Sequence, residues 1–149
     1  MTTRFLCPNH RHWLQSNPKA AIAHLSDTQD TGQWYREQGL WSQALPYLGC
    51  AFETAEIVLN TSTKNQATAV ITFTSCAVLL GDTWHKLGEL GLSRQAFQSA
   101  QQRLIPELSL YQQQSEIQAC ITDCIQALAK GMEVSSSRFN LSYEARMRH

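Results

Sequence analysis

Residues 32–51 read GQWYREQGLWSQALPYLGCA, and this stretch decides the fold class. Small and large apolar side chains recur in it at helical spacings of three and four, and a glycine in the middle suits a turn. The positions that carry the pattern are Gly32, Tyr35, Gly39, Trp41, Ala44, Leu48 and Ala51. The pattern predicts two helices that pack against each other across a tight turn.

The same pattern returns further along the chain, and its first residue, Gly81, follows Gly32 by 49 residues. The second copy has the same successive spacings of three, four, two, three, four and three, on Gly81, Trp84, Gly88, Leu90, Ser93, Phe97 and Ala100. In each copy we expect the early small residue to let the second helix approach. Residues after the turn then line the inner face of that second helix. The chain is therefore predicted to contain two similar helical hairpins.

This repeated pattern resembles the tetratricopeptide repeat. Leu80-Gly81 matches the Leu-Gly pair of that family, and Pro106 falls close to its terminal proline. Two features depart from the family: Thr31 stands where Leu is expected, and the 49-residue period exceeds the family's period of about 34. The resemblance covers about residues 28–106. It implies an all-α fold of about five to six helices, in which antiparallel hairpins stack as a short superhelix with a concave face. A generic helical bundle is the alternative.

In the N-terminal third of the chain, the positions of proline, of capping residues and of apolar residues predict where helices begin and end. We expect an irregular segment over residues 1–17, then a short helix over about 18–25 that Pro18 begins. Asp30 or Thr31 is a candidate cap for the next helix. A long helix is predicted from Ser42 to Asn60, because its apolar residues recur at threes and fours.

In the middle of the chain, the local propensity of the residues and the lack of a partner strand favour different structures. Residues 68–74 read TAVITFT, a β-branched run that favours a strand. No partner strand stands nearby, and an unpaired strand is not stable. We therefore predict a helix from about Lys64 to Leu90, followed by a turn at 91–93.

A last helix is predicted from Pro106 to about Lys130, with Gly131 as a left-handed stop. Its apolar stripe is a possible surface for a homodimer. Residues 133–149 are expected to form a flexible tail, so that a single helical domain covers residues 1–132.

Composition excludes several classes of function. Twelve basic and twelve acidic residues give no net charge, which argues against a general nucleic-acid binder. Polar or charged residues interrupt the apolar stretches before the length of a membrane span, so no membrane association is expected. Five cysteines, an odd number, fit free thiols better than a disulfide framework. We expect a cytoplasmic protein.

Function is predicted from the implied groove. The leading hypothesis is a protein–protein interaction module: a scaffold, an adaptor or a chaperone-like peptide binder whose partner is another protein or peptide. Helix facing suggests that the first helix of each hairpin contacts the partner, through Gln33, Trp34, Arg36, Glu37, Thr83 and Lys86. The alternative is a small-molecule-binding or catalytic helical bundle with a pocket near Asp82 and His85, which are three apart and can share a helix face.

Chemistry-bearing clusters are few. Cys7, His10 and His12 lie close in sequence, but a zinc site needs about four ligands, and the fourth would have to come from elsewhere in the chain. An ordinary surface segment explains them better, as buried apolar packing explains Cys120 and Cys124. We expect no cofactor and no enzymatic activity.

Overall fold

The computed structural model describes residues 4–61 and 66–147, with side chains up to residue 134. The described residues form helices and no strand, which confirms the predicted all-α class there. The helices are α1 (Pro8–Ser16), α2 (Pro18–Glu37), α3 (Trp41–Thr61), α4 (Gln66–Lys86), α5 (Leu90–Leu104), the single turn α6 (Glu107–Leu110) and α7 (Ser115–Met147). The long helices pack in sequence and antiparallel: α2 on α3, α3 on α4, α4 on α5, and α7 on both α4 and α5.

The two predicted hairpins are α2–α3 and α4–α5, and close helix contacts form at the same positions in both. A Cβ atom on Gly32 would lie 2.6 Å from Leu48 Cδ2, and one on Gly81 would lie 2.5 Å from Phe97 Cε2. In each hairpin a glycine thus leaves room for the large side chain sixteen positions later. The role predicted for the early small residue is confirmed.

The turns of the two hairpins also match. Gly39 and Gly88 have φ of +73° and +80°, a left-handed conformation that glycine adopts without steric cost. Each glycine N–H donates back to the helix, to Arg36 O at 2.9 Å and to His85 O at 3.0 Å, and the following N–H reaches Tyr35 O or Trp84 O. Both first helices therefore end in the same Schellman motif.

The second turn matches the glycine of the repeat pattern but lies earlier than the turn predicted from the helix bounds. It falls at Gly88 rather than over 91–93, because Gly88 supplies the left-handed residue. Ser93 is a buried residue inside α5, and its hydroxyl donates to Gly81 O at 2.7 Å. This hydrogen bond connects α5 to α4.

The N-terminal predictions need two corrections. Part of the segment expected to be irregular is α1, which begins at Pro8 and is capped by Cys7 Sγ accepting from His10 N–H at 3.4 Å. The break expected before Asp30 is absent, because α2 is continuous. Thr28 lies inside α2, where its hydroxyl donates to the carbonyl of His24 at 2.8 Å. Polar residues that suit a cap are here accommodated within the helix.

The β-branched middle segment is helical, as predicted, over Gln66–Lys86. Its expected start at Lys64 lies outside the described residues, and it ends before Leu90. Within this helix the hydroxyl group of Thr74 donates to the main-chain oxygen of Val70 at 2.8 Å. Helix α4 is long and apolar enough to cross a membrane by length and composition, but half of that window is buried within the fold. Core helices of soluble proteins share this composition, so the observation is weak support for a span.

The C-terminal prediction was wrong in two places. The helix expected over 106–130 is divided into α6 and α7 by a turn at 111–113. Gly131 does not stop α7, whose backbone continues to Met147 through most of the expected flexible tail; residues 148–149 lie outside the description. A Cβ on Gly131 would lie 2.4 Å from Phe97 Cε1. This glycine permits a close contact rather than a left-handed turn.

Two groups of buried apolar residues hold the fold together. The larger one joins α2, α3, α4, α5 and α7 around Phe73, which is fully buried. The smaller one joins the N-terminal segment, which is residues 4–7, to α1, α2 and α3 through Leu6, Leu14, Ala21 and Ile57. The N-terminal segment is therefore part of the packed domain.

Candidate functional site

A cavity opens where α4 meets α7. Its lining, which defines the α4–α7 groove, comes from α2, α4, α5 and α7: Arg36, Val78, Leu79, Asp82, His85, Lys86, Phe97, Ala127, Lys130, Gly131 and Val134. The groove contains Asp82 and His85, the pair around which the sequence suggested a pocket. Apolar and cationic side chains both line it, so it can hold a ligand by burial and by charge.

Arg36 is the best-fixed polar group of this groove. Its guanidinium donates to Thr83 Oγ1 at 2.8 Å and to Asp82 Oδ2 at 2.7 Å. The guanidinium carbon also lies 5.3 Å from the centre of the Trp41 ring, within cation–π range. A planar guanidinium held by two hydrogen bonds and a ring loses little further entropy when a ligand arrives. Arg36 therefore joins α2 to α4 and is preorganised for recognition.

Lys86 and Lys130 add positive charge to the groove. Both are exposed, and Lys86 Nζ lies 5.6 Å from the Trp41 ring centre. Among the described side chains neither lysine forms an ion pair, whereas the single lining carboxylate, Asp82, is paired with Arg36. The groove thus has two cations available to an anionic group.

Thr83 cannot contact a partner, which corrects the prediction. Its side chain is fully buried, donates to Leu79 O at 2.7 Å and accepts from Arg36. The repeat register explains the error, because Thr83 follows Trp34 by the same 49 residues that separate the hairpins. Trp34 lies on the open edge of α2, but the same face of α4 is covered by Arg36 of α2. The Arg36 side chain therefore covers in the second hairpin a position that is exposed in the first.

Trp34 is exposed, as the sequence suggested, but it belongs to another surface. It is 56% accessible, and its ring meets the edge of Tyr35, which stacks on Tyr47 of α3 at 5.6 Å. Two residues along a helix correspond to a rotation of about 200°, so Trp34 and Arg36 point to nearly opposite sides of α2. Gln33 and Glu37 are also exposed, and neither lines the groove. Of the six predicted contacts, the groove keeps Arg36 and Lys86.

Glu53, which the sequence analysis did not single out, lies in a second polar site. Glu53 is only 8% exposed and accepts from the main-chain N–H groups of Phe5 and Leu6 and from Arg11. These partners lie more than 40 residues away in the chain. The position of Glu53 among the apolar residues of α3 was the available signal, since a buried carboxylate requires such partners.

Cys7, His10 and His12 do not come together as one group of potential metal ligands. The described residues contain no group of three or more potential metal ligands. The rings of His10 and His24 lie 4.8 Å apart, and His24 Nδ1 is 2.9 Å from Thr54 Oγ1. Burial lowers the pKa of His24, and the neighbouring His10 lowers it further, against a smaller opposing effect of Asp27. This pair is a feature of the α1–α2 contact.

Cys76 and Cys124 are buried, and Cys50 and Cys120 are partly buried. Burial raises the pKa of Cys76 to about 12 and raises the pKa of Cys120, where Cys124 adds to the effect. A thiol needs its thiolate form to act as a nucleophile. These cysteines are thus packing residues, and Cys7 alone among the five is exposed.

No known family model, curated protein or solved structure matches this chain. What the protein binds is therefore inferred from the chemistry of its own surfaces. The α4–α7 groove offers two exposed ammonium groups, one fixed guanidinium and an apolar lining. Such a surface suits a ligand that is anionic at one part and apolar at another.

Proposed function

We propose that the protein is an interaction module, a scaffold, adaptor or chaperone-like peptide binder, that holds a segment of another protein in the α4–α7 groove. The observation that carries this proposal is the convergence of Arg36, Lys86 and Lys130 from three helices around an apolar cavity. A partner segment with acidic side chains beside an apolar one matches that lining.

The proposal includes a tetratricopeptide-like stacking of the hairpins. Its support is the placement of two equivalent residues, each beside the next helix of the predicted stack. Arg36 of α2 packs against α4, and His85, which follows Arg36 by 49 residues, lines the cavity between α4 and α7. In this proposal α7 occupies the place that the first helix of a third hairpin would take, and α2, α4 and α7 together form the concave face.

Charge reversal at the groove tests the proposal. The tagged full-length chain is incubated with an extract of its native cells, and captured proteins are identified by mass spectrometry. Lys86→Glu is the test variant, because Lys86 is exposed and its reversal replaces attraction by repulsion. Trp34→Ala is the matched control, because Trp34 is also exposed but lies on the other side of α2.

We expect a protein that the wild type and the Trp34→Ala variant capture and the folded Lys86→Glu variant loses. Its binding should weaken as salt rises, since exposed charges are screened over about 10 Å at 0.1 M. Loss with Trp34→Ala and retention with Lys86→Glu would move the binding surface to the Trp34 side. Capture that neither substitution changes would refute a role for the groove.

A small-molecule site is the second candidate, because the cavity lies where the sequence suggested a pocket, near Asp82 and His85. Its volume, about 380 Å³, falls in the range of ligand pockets. Thermal-shift measurements with a panel of small organic acids test this function. Stabilisation of the wild type that Lys130→Glu removes and Trp34→Ala keeps would support it, and no shift across the panel would argue against it.

A further inference from the structure

The N-terminal segment lies in a second cleft, between α3 and α5. Residues of α3, α4 and α5 line this α3–α5 cleft: Phe52, Glu53, Glu56, Leu80, Trp84, Leu92, Gln95, Ala96 and Ser99. Arg4, Phe5 and Arg11 complete the lining from the N-terminal side. The cleft shares no lining residue with the α4–α7 groove, so the two sites can be tested by separate substitutions.

Glu53 holds the main chain of the segment. Its carboxylate accepts from the N–H groups of Phe5 and Leu6, the latter at 3.4 Å, and from the guanidinium of Arg11. Main-chain N–H groups are present in every extended segment, so this part of the contact needs no particular side chain. Capture of a peptide by its main chain, with specificity from side-chain pockets, is a common mode of recognition.

Phe5 supplies the side chain that the cleft recognises. A Cβ atom on Gly49 would lie 2.2 Å from the Phe5 ring, so the glycine leaves the space that the ring occupies. On the other side the ring centre lies 6.4 Å from that of Trp84. The Phe5 ring thus lies between Gly49 of α3, which has no side chain, and the Trp84 ring of α4.

A difference between the two hairpins leaves space for the Phe5 ring beside Trp84. In the first hairpin Tyr47 stacks on Tyr35. The equivalent positions, 49 residues on, are Ala96 and Trp84. The alanine leaves the second hairpin without an aromatic partner for Trp84, and Phe5 provides one from outside the hairpin.

We propose that the α3–α5 cleft is a docking site for an extended segment of a partner protein in which a basic residue precedes phenylalanine, and that Arg4–Leu6 occupies it as an intramolecular competitor. Charge supports the basic residue, because Glu53 and Glu56 line the cleft together with Arg4, while Arg11, which pairs with Glu53, belongs to α1. A cavity of about 140 Å³ remains beside the seated segment, enough for further side-chain contact.

A peptide offered in trans tests the proposal. The probe is a fluorescein-labelled peptide of residues 4–8 carrying Cys7→Ser, and binding is followed by anisotropy. The chains are full-length wild type, Phe5→Ala, and Phe5→Ala combined with Glu53→Gln. The same peptide with Phe5→Ala is the matched control. Far-UV circular dichroism checks that each chain is folded, and Phe5→Leu replaces Phe5→Ala if the latter is not.

We expect the Phe5→Ala chain to bind the probe about tenfold more tightly than the wild type, because a tethered segment competes at an effective concentration near millimolar. Adding Glu53→Gln to the chain, or removing the phenyl ring from the probe, should lower affinity at least tenfold. No binding to the folded Phe5→Ala chain overturns the proposal. Equal binding to the wild type and Phe5→Ala also overturns it, because the probe would then bind elsewhere.

Discussion

Gly131→Ala distinguishes the two roles that can be assigned to this glycine. The sequence suggests a left-handed helix stop, whereas the structure shows a residue within α7 that faces the Phe97 ring. An added Cβ would lie 2.4 Å from Cε1 and 2.7 Å from Cδ1 and Cζ of that ring. The ring cannot retreat freely, because its other edge lies against Gly81, where an added Cβ would be 2.5 Å away.

Two opposing terms set the magnitude. Alanine is favoured over glycine inside a helix by about 1 kcal/mol. Overpacking a tight contact by one methyl group costs about 1–3 kcal/mol. The net effect expected in the wild type is a destabilisation of up to about 2 kcal/mol. With Phe97→Leu most of the clashing ring atoms are gone, so the same substitution should become stabilising.

Urea unfolding of the four chains in this double-mutant cycle measures the effect. Gly91→Ala is the matched control, since Gly91 lies in α5 with nothing within 4 Å of an added Cβ, and it should be neutral or stabilising. A coupling of about 1–3 kcal/mol between positions 131 and 97, with a change of sign, is the expected outcome. A cost of Gly131→Ala that is the same with Phe97 and with Leu at that position would refute the packing argument.

Two further predictions concern titration. Because the pKa of His24 is lowered in the folded state, the unfolded chain binds more protons as pH falls through the ordinary value of 6.5, so stability present above that pH should be lost below it. Urea midpoints between pH 8 and pH 5 should show this loss, and His10→Gln, which removes one lowering charge, should reduce it. Cys7 should react first with a thiol reagent at pH 8, and Cys7→Ser should remove that fast phase. Cys76, with a pKa of about 12, should react only as fast as the fold opens, and rapid labelling of it in the native chain would contradict its burial.

The hairpins were predictable from sequence because they depend on the spacing of residues that lie near one another in the chain. Gly32 and Gly81 contact residues sixteen positions later, and the turns at Gly39 and Gly88 need a left-handed residue. Such features depend on a few neighbouring residues. The helix over Gln66–Lys86 also followed, once the absence of a partner strand was weighed against β-branched propensity.

Helix ends were less predictable because they depend on tertiary contact. Leu25 and Gly32 are buried seven residues apart on one face of α2, so packing favours a continuous helix through polar residues that suit a cap. Gly131 looks like a stop until the Phe97 ring is placed beside it. In both cases a residue's local preference was overridden by a neighbour distant in sequence.

Both candidate sites lie where the two hairpins differ. The register that made them recognisable predicts equal environments at equivalent positions, yet Trp34 is exposed and Thr83 is buried, because the Arg36 side chain of α2 covers Thr83. Likewise Tyr47 fills a space in the first hairpin that Ala96 leaves open in the second. A repeat pattern alone therefore gives the frame but not the sites. Each site needs a contact from outside its own hairpin: Arg36 of α2 and the residues of α7 for the groove, and the N-terminal segment for the cleft.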